Sequence, residues 1–254
     1  MLLPSHGVNE LAVRDGRRII TLDQVQAIYD KAYRHPGLMG TDLDHTYDAV
    51  TKQLLLDFAK PLATKRLLDV GCGVGSLWEH VPSDVEGYAL DISLVGVRTA
   101  AQRYPGLTAS VSAAEYLPYP NGYFHCVIAA DTIEHAFSPS RALAEIWRVL
   151  EPGGHFCTSF PVPDSLRKWG RNQLSRGRAA LSLLPRLGWV LFQRFALFGR
   201  LDFQPIDRDK NIEEWRVLLE ETGFQVSRVL EWPLPPEVPI VYLVHAIRAG
   251  EMSQ

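Results

Sequence analysis

Between Lys65 and Pro161, short apolar runs alternate with segments of helical length and spacing, and this alternation narrows the folds open to the chain more than any other feature. "RLLDV", "EGYALD", "LTASV", "FHCVIAA" and "GHFCTSF" read as buried strands. "ISLVGVRTAAQRY" and "SPSRALAEIWRVL" read as the helices between them. Parallel strands need a crossover, and a right-handed helical crossover is the usual solution. The expectation is an α/β fold, a Rossmann-like, mostly parallel sheet with helices on both faces. A late helix, "NIEEWRVLLEETG", and two more strands, "FQVSRVLEW" and "IVYLVHAIRA", complete it.

Before Lys65, "TLDQVQAIYDKAYRH" carries a capping-box pattern, Thr21 with Gln24, and reads as a helix; "DHTYDAVTKQLLLDFAK" reads as a second. The 254 residues are read as one domain. It comprises an N-terminal helical segment (1–64), a core (65–162), an insertion (163–210) and a C-terminal helix with strands (211–254). With 46% apolar residues and a net charge of −3, the chain can bury a sizeable core, and its charge names no partner. Cys72, Cys126 and Cys157 are odd in number and lie in or beside apolar runs, so they read as buried free thiols. Neither a secretory signal nor an uncharged apolar run of spanning length is found, which reads as a cytoplasmic chain.

"LLDVGCGVG" places a turn with Gly71, Gly73 and Gly75 after the first core strand. In a sheet of this kind ligands sit beyond the carboxyl ends of the strands. Glycine permits positive φ and close approach to main chain, and a helix start there would attract an anionic group. The spacing is G-x-G-x-G, with Ser76 where a dinucleotide fingerprint has its third glycine, and no Gly-Lys-Ser/Thr follows. The next strand ends in Asp91, where a carboxylate suits the two hydroxyls of a ribose. A nucleoside with a small anionic tail fits this pair of features better than a pyrophosphate.

With these motifs in place, the chain resembles the class I S-adenosylmethionine-dependent methyltransferases, in particular the group of quinone-biosynthesis and small-molecule enzymes. "LLDVGCGVG", "YALDIS" and "AAEYLPYPNGYFHCVIAADTIEHAFSPSRALAEIWRVLEPGG" follow the family's motif order. The resemblance implies a seven-stranded sheet with an antiparallel last strand, and S-adenosyl-L-methionine as cofactor. It implies that Gly71, Cys72 and Gly73 hold the methionine part through main-chain groups, with Asp69 behind them and Gly75 completing the turn. Asp91 would take the ribose hydroxyls, Ile92 would cover the adenine, and Ala114 and Glu115 would flank its edge. Where family members often carry an acid before that alanine, this chain has Ala113. Ala130 and Asp131 would border the sulfonium.

"DTIEH" is the most reactive-looking cluster. On a helical turn Asp131, Glu134 and His135, at i, i+3 and i+4, can share a face. Three readings stand: His135 as a base with Asp131 or Glu134 orienting it, a divalent-metal cluster, and a structural cap for the helix beginning near Ser138. The first assigns catalysis to His135, Asp131 and Glu134, with no metal. His125 and His155 flank strands and read as hydrogen-bonded edge residues.

In the insertion, eight basic residues between Arg167 and Arg200 face one acid, Asp164, and surround "LSLLPRLGWVLFQRFALF". This composition suits a substrate lid, a homodimer element, or peripheral contact of 164–200 with a membrane surface. RNA is disfavoured, because aromatics cluster rather than alternate with basic residues. The expected activity is O-methylation of a hydrophobic small-molecule or lipid-linked acceptor. Methylation of RNA or a sugar, and a catalytically inactive binding protein, are the rivals.

Overall fold

The computed structural model describes residues 11–15, 18–34, 45–59, 66–162, 206, 208, 210–234 and 238–250. A two-stranded hairpin, β1 (Ala12–Asp15) and β2 (Arg18–Thr21), leads into α1 (Leu22–Tyr33), and α2 spans His45–Ala59. The core runs β3 (Arg66–Val70), β4 (Glu86–Asp91), α3 (Leu94–Arg103), β5 (Thr108–Val111), β6 (Phe124–Ala129), α4 (Pro139–Val149) and β7 (Leu150–Pro161). It ends with α5 (Ile212–Glu221), β8 (Phe224–Leu234) and β9 (Val238–Arg248). The hairpin departs from the all-helical reading of the N-terminal segment. Its strands are four residues each, too short for a clear period, although the Asp15-Gly16 dipeptide is a hairpin signal.

The large sheet has seven strands in the order β5-β4-β3-β6-β7-β9-β8. β3 pairs parallel with both β4 and β6, and β9 runs antiparallel between β7 and β8. The expected Rossmann-like sheet and its antiparallel last strand are therefore present. Strand interiors are apolar on both faces because helices cover both. Leu68 and Val127 point into the cluster completed by α4 and α5, while Leu67 and Ile128 point into the one completed by α2 and α3. α4 forms where Ser138 caps its start, Pro139 occupies its first turn and Ala142, Leu143, Ile146 and Val149 make one buried stripe.

Strand order reverses between β3 and β6, whose carboxyl ends lie side by side. Thr132, just past β6, donates its hydroxyl to the Val70 carbonyl at the end of β3, 3.2 Å away. The crevice that such a reversal opens is where ligands bind in sheets of this kind. All three cysteines are buried and free, as expected. Among the described residues no helix is long and apolar enough to cross a membrane. Apart from Ile206, Arg208 and Lys210, the insertion at 163–210 lies outside the described residues.

Candidate functional site

A pocket enclosing about 610 Å³ of space, counted out to its open mouth, sits at that crevice. Its walls include Gly71, Asp91, Ile92, Ala114, Glu115, Asp131 and His135 from the residues singled out in the sequence. Asp69, Cys72, Gly73, Gly75, Ala130 and Glu134 are not wall residues. Tyr29 and Tyr33 of α1 also line it, a contribution that helical periodicity alone cannot distinguish from an ordinary core face. Asp30 between them holds α1 in place. Its carboxylate accepts from the Ser93 hydroxyl and, at 3.1 Å, from the Val95 amide at the start of α3.

The glycine turn differs from its sequence reading in two respects. Gly71, Gly73 and Gly75 do take left-handed conformations, with φ of 77°, 53° and 85°. Yet a Cβ on each would first meet the protein itself. It would lie 2.3 Å from Thr132 Oγ1 at Gly71, 2.9 Å from the Tyr33 hydroxyl at Gly73 and 3.0 Å from Ala100 at Gly75. Glycine is therefore demanded by backbone handedness and by the protein's own packing. Second, only a single four-residue 3-10 turn, Ser76–Glu79, follows instead of an α-helix, and its dipole is correspondingly small.

Nor does the turn offer its amides outward. Gly71 and Cys72 both donate to the Leu90 carbonyl, at 2.7 and 3.0 Å, and Gly73 donates to Asp91 Oδ2 at 2.8 Å. The amides of Gly71, Cys72 and Gly73, expected to face an anion, are thus taken up within the protein. A positively charged or hydroxyl-bearing ligand suits the Asp91 carboxylate that lines the pocket.

Asp91 is the most strongly held group in the site. It is 5% exposed, with Oδ1 accepting from the Ser93 amide at 2.7 Å and Oδ2 from Gly73. Burial pushes its carboxyl up to about 6, and the two amides only partly offset that. Each oxygen keeps a second lone pair, which a ribose hydroxyl can use. Glu115 has a different task. Its carboxylate accepts from the Ser138 amide at 2.9 Å, so Glu115, and not Glu134, supports the chain entering α4.

"DTIEH" does not form a shared face. Ile133–His135 is one 3-10 turn, and Asp131 precedes it with φ of 46°, an uncommon conformation for a residue with a side chain. Ser159 fixes this geometry: its hydroxyl oxygen accepts from the Asp131 amide and its proton goes to Asp131 Oδ1, both at 2.8 Å. Asp131 is exposed to the pocket, whereas Glu134 is 1% exposed and turned into the protein. Among the described residues no group of three His, Cys, Asp or Glu side chains is placed to hold a metal ion.

His135 faces the pocket, and its Nδ1 lies 2.8 Å from the backbone carbonyl of Ile206. A carbonyl can only accept, so Nδ1 carries the proton and Nε2 holds the lone pair in the neutral ring. Nε2 is 3.8 Å from Glu134 Oε1, too far for a hydrogen bond but near enough to favour an imidazolium. The Ile206 carbonyl, which the sequence reading missed, thus orients the ring through Nδ1. Nothing local marks a carbonyl 71 residues away as a partner. His125 and His155 lie outside the pocket, bonded to Arg66 and His245 respectively, as expected of edge residues.

The stretch that carries this crevice is similar to known methyltransferases. A methyltransferase-domain profile matches residues 68–158, the stretch from β3 through most of β7. A ubiquinone/menaquinone biosynthesis C-methyltransferase from Proteus mirabilis is 26% identical over 230 residues, covering 84% of this chain and 89% of that protein. The mitochondrial 2-methoxy-6-polyprenyl-1,4-benzoquinol methylase of Drosophila melanogaster is 23% identical, covering 80% of this chain and 74% of that protein. An S-adenosylmethionine-dependent methyltransferase from Mesorhizobium loti superposes with a TM-score of 0.57 at 18% identity, over 79% of this chain and 99% of that one. The [4+2]-cyclase SpnF superposes with a TM-score of 0.63 at 18% identity, covering 90% and 96%, so the fold also serves other chemistry.

Proposed function

We propose that this chain, a class I S-adenosylmethionine-dependent methyltransferase, methylates a hydrophobic hydroquinone-type acceptor, with His135 Nε2 taking the acceptor's phenolic proton. The observation that carries the reading is the pinned tautomer: the Ile206 carbonyl holds Nδ1–H and leaves the lone pair of the neutral ring on Nε2, in a residue that lines the pocket.

S-adenosylmethionine supplies an electrophilic methyl group on a sulfonium when bound. The pocket suits it: Asp91 retains acceptor capacity for ribose hydroxyls, Ile92, Ala113 and Ala114 offer an apolar wall for adenine, and Gly71 brings the backbone of the turn to the pocket wall. Asp131 stands at the pocket end of β6, held by Ser159 and available to an acceptor hydroxyl. Phe137, Tyr29 and Val25 add the apolar surface that a prenylated aromatic ring would use.

Removing a phenolic proton leaves an ambident phenolate, nucleophilic at oxygen and at the adjacent ring carbon. The relatives' names specify a C-methyltransferase and a benzoquinol methylase, which favours ring carbon over the oxygen expected from sequence. In that case the ring carbon's electron pair forms the new bond to methyl, the methyl–sulfur bond breaks, and loss of the ring proton restores the aromatic system. The basic, aromatic composition of 164–200 supports collection of such a lipid-soluble acceptor from an anionic surface.

The test is incubation of the purified enzyme with labelled S-adenosylmethionine and a dithionite-reduced short-prenyl 1,4-naphthoquinone. Product NMR should show an aryl C-methyl signal. A methoxy signal would return the accepting atom to oxygen, and no product with reduced benzo- or naphthoquinones would overturn the acceptor class.

A further inference from the structure

The segment that orients His135 does more than supply one carbonyl. Two residues beyond Ile206, Arg208 spreads its guanidinium over the backbone on both sides of His135. Nη1 donates to the Ala136 carbonyl and, at 3.4 Å, to the Glu134 carbonyl; Nη2 donates to the Phe137 carbonyl at 2.8 Å. These are carbonyls at and just beyond the end of a 3-10 turn, where the turn leaves acceptors without internal donors. On the other side of the same loop, Glu115 accepts from the Ser138 amide. The loop from His135 to Ser138 is therefore held by a cation on its carbonyls and by an anion on its amide.

The side chain of Ile206 is buried in a small apolar cluster with Leu11, Val25, Ala113 and Phe137. That cluster joins the N-terminal cap to the loop after His135. Ile206 thus anchors the strand of backbone whose carbonyl meets the imidazole, and Arg208 sets its distance from the loop. Neither residue is among the pocket walls.

We propose that Arg208 is a positioning residue for the transfer reaction, holding His135 in the Nδ1–H form with Nε2 facing the acceptor. This rests on the reading of His135 as the base. An arginine is required because three carbonyls spread along a turn call for several fixed donors, which a lysine ammonium does not match. Misplacement of a reacting group by about 1 Å costs on the order of 100-fold in rate, so loss of the clamp should be felt in kcat rather than in cofactor binding.

The experiment compares parent, Arg208→Ala, Arg208→Lys and His135→Ala proteins by three readouts. The first is the ¹⁵N chemical shifts of the imidazole nitrogens, with the His135 signals assigned by their loss in His135→Ala. The parent should show His135 as the Nδ1–H tautomer at neutral pH. Arg208→Ala should move it toward the Nε2–H form, and Arg208→Lys should retain part of the parent signature. The second readout is turnover with the reduced naphthoquinone, where Arg208→Ala should lose roughly 10- to 100-fold in kcat, partly restored by added guanidinium. The third is S-adenosylmethionine affinity, which should stay within about threefold. An unchanged His135 tautomer in Arg208→Ala overturns the proposal, as does a kcat loss that only tracks lost cofactor affinity. The underlying reading fails separately, if His135→Ala turns over at the parent rate.

Discussion

The amide of Gly73 donates to Asp91 Oδ2 at 2.8 Å, tying the glycine turn after β3 directly to the acid that ends β4. Two sequence motifs 18 residues apart are therefore one structural unit. Asp91 is both the anchor of the turn and the group best placed to receive the ribose. Asp91→Ala removes both functions. Hydrogen bonds to a charged group contribute about 1.5–3 kcal/mol, so S-adenosylmethionine should bind at least tenfold more weakly. Asp91→Asn, which keeps an acceptor oxygen, should lose less affinity. Calorimetry giving parent-like affinity for the alanine variant would contradict this.

Acid should weaken cofactor binding through the same residue. Asp91 ionises at about 6 in the folded protein, above its ordinary value of 3.8, because burial disfavours the charge. On the proposed reading the ionised form accepts the ribose hydroxyls, so affinity should be flat above pH 7 and fall about tenfold per unit well below 6. The stability sign is opposite to that of a salt-bridged acid. The folded state holds its proton more tightly than the unfolded state, so the unbound protein should lose stability as pH rises from about 4 to 6. Calorimetric titrations at pH 5 and 7.5, with thermal melts of the unbound protein, separate the two effects.

Substitution of Gly71 tests the turn from the packing side. Gly71→Ala combines φ of 77° with a Cβ only 2.3 Å from Thr132 Oγ1, so one of the two residues has to move. A strained backbone of this type costs about 1–3 kcal/mol, and a lower melting temperature is expected even without cofactor. Adding Thr132→Ala should relieve the clash but not the φ strain, recovering part of the loss. Full recovery would mean that handedness matters little here.

His135→Ala should reduce turnover by roughly 10²–10⁴ while leaving the melting temperature and S-adenosylmethionine affinity near parent values. The loss should shrink for more acidic phenols, which part with their proton more readily. Glu134→Gln, beside the ring but buried, should cost stability as well as activity. Equal stability losses in both variants would mark the turn as scaffolding. Sensitivity to chelator, reversed by magnesium or manganese, would instead bring a metal into the reaction.

Anionic vesicles should retain the protein at low salt, since each arginine near such a surface contributes on the order of 1 kcal/mol. Flotation with phosphatidylglycerol vesicles against neutral ones is the measurement. Replacing Arg186 and Arg194 with glutamine should reduce the difference. Equal behaviour with both vesicle types would remove the membrane contact.

The parallel sheet, its helices and the position of its ligand crevice were legible along the chain because each depends on local periodicity and turn chemistry. Five apolar runs, their helical spacers and a glycine turn followed by Asp91 are patterns of near neighbours. The same locality made the glycines readable as left-handed positions but misattributed their crowding to a ligand. The atoms that crowd them belong to Thr132, Tyr33 and Ala100, brought there by the order of strands. "DTIEH" was visible as a reactive cluster, yet a helical ruler placed its three side chains on one face. A 3-10 turn after a positive-φ residue instead separates the exposed Asp131 from the buried Glu134. The Ile206 carbonyl that meets His135, and the Arg208 guanidinium that holds the backbone on either side of it, were not legible at all. A backbone carbonyl carries no side-chain signature, and an arginine between two acids, Asp207 and Asp209, looks like an ordinary surface charge. Only closure of the chain over 71 residues creates that contact, so its specificity lies in distance and angle rather than in residue type.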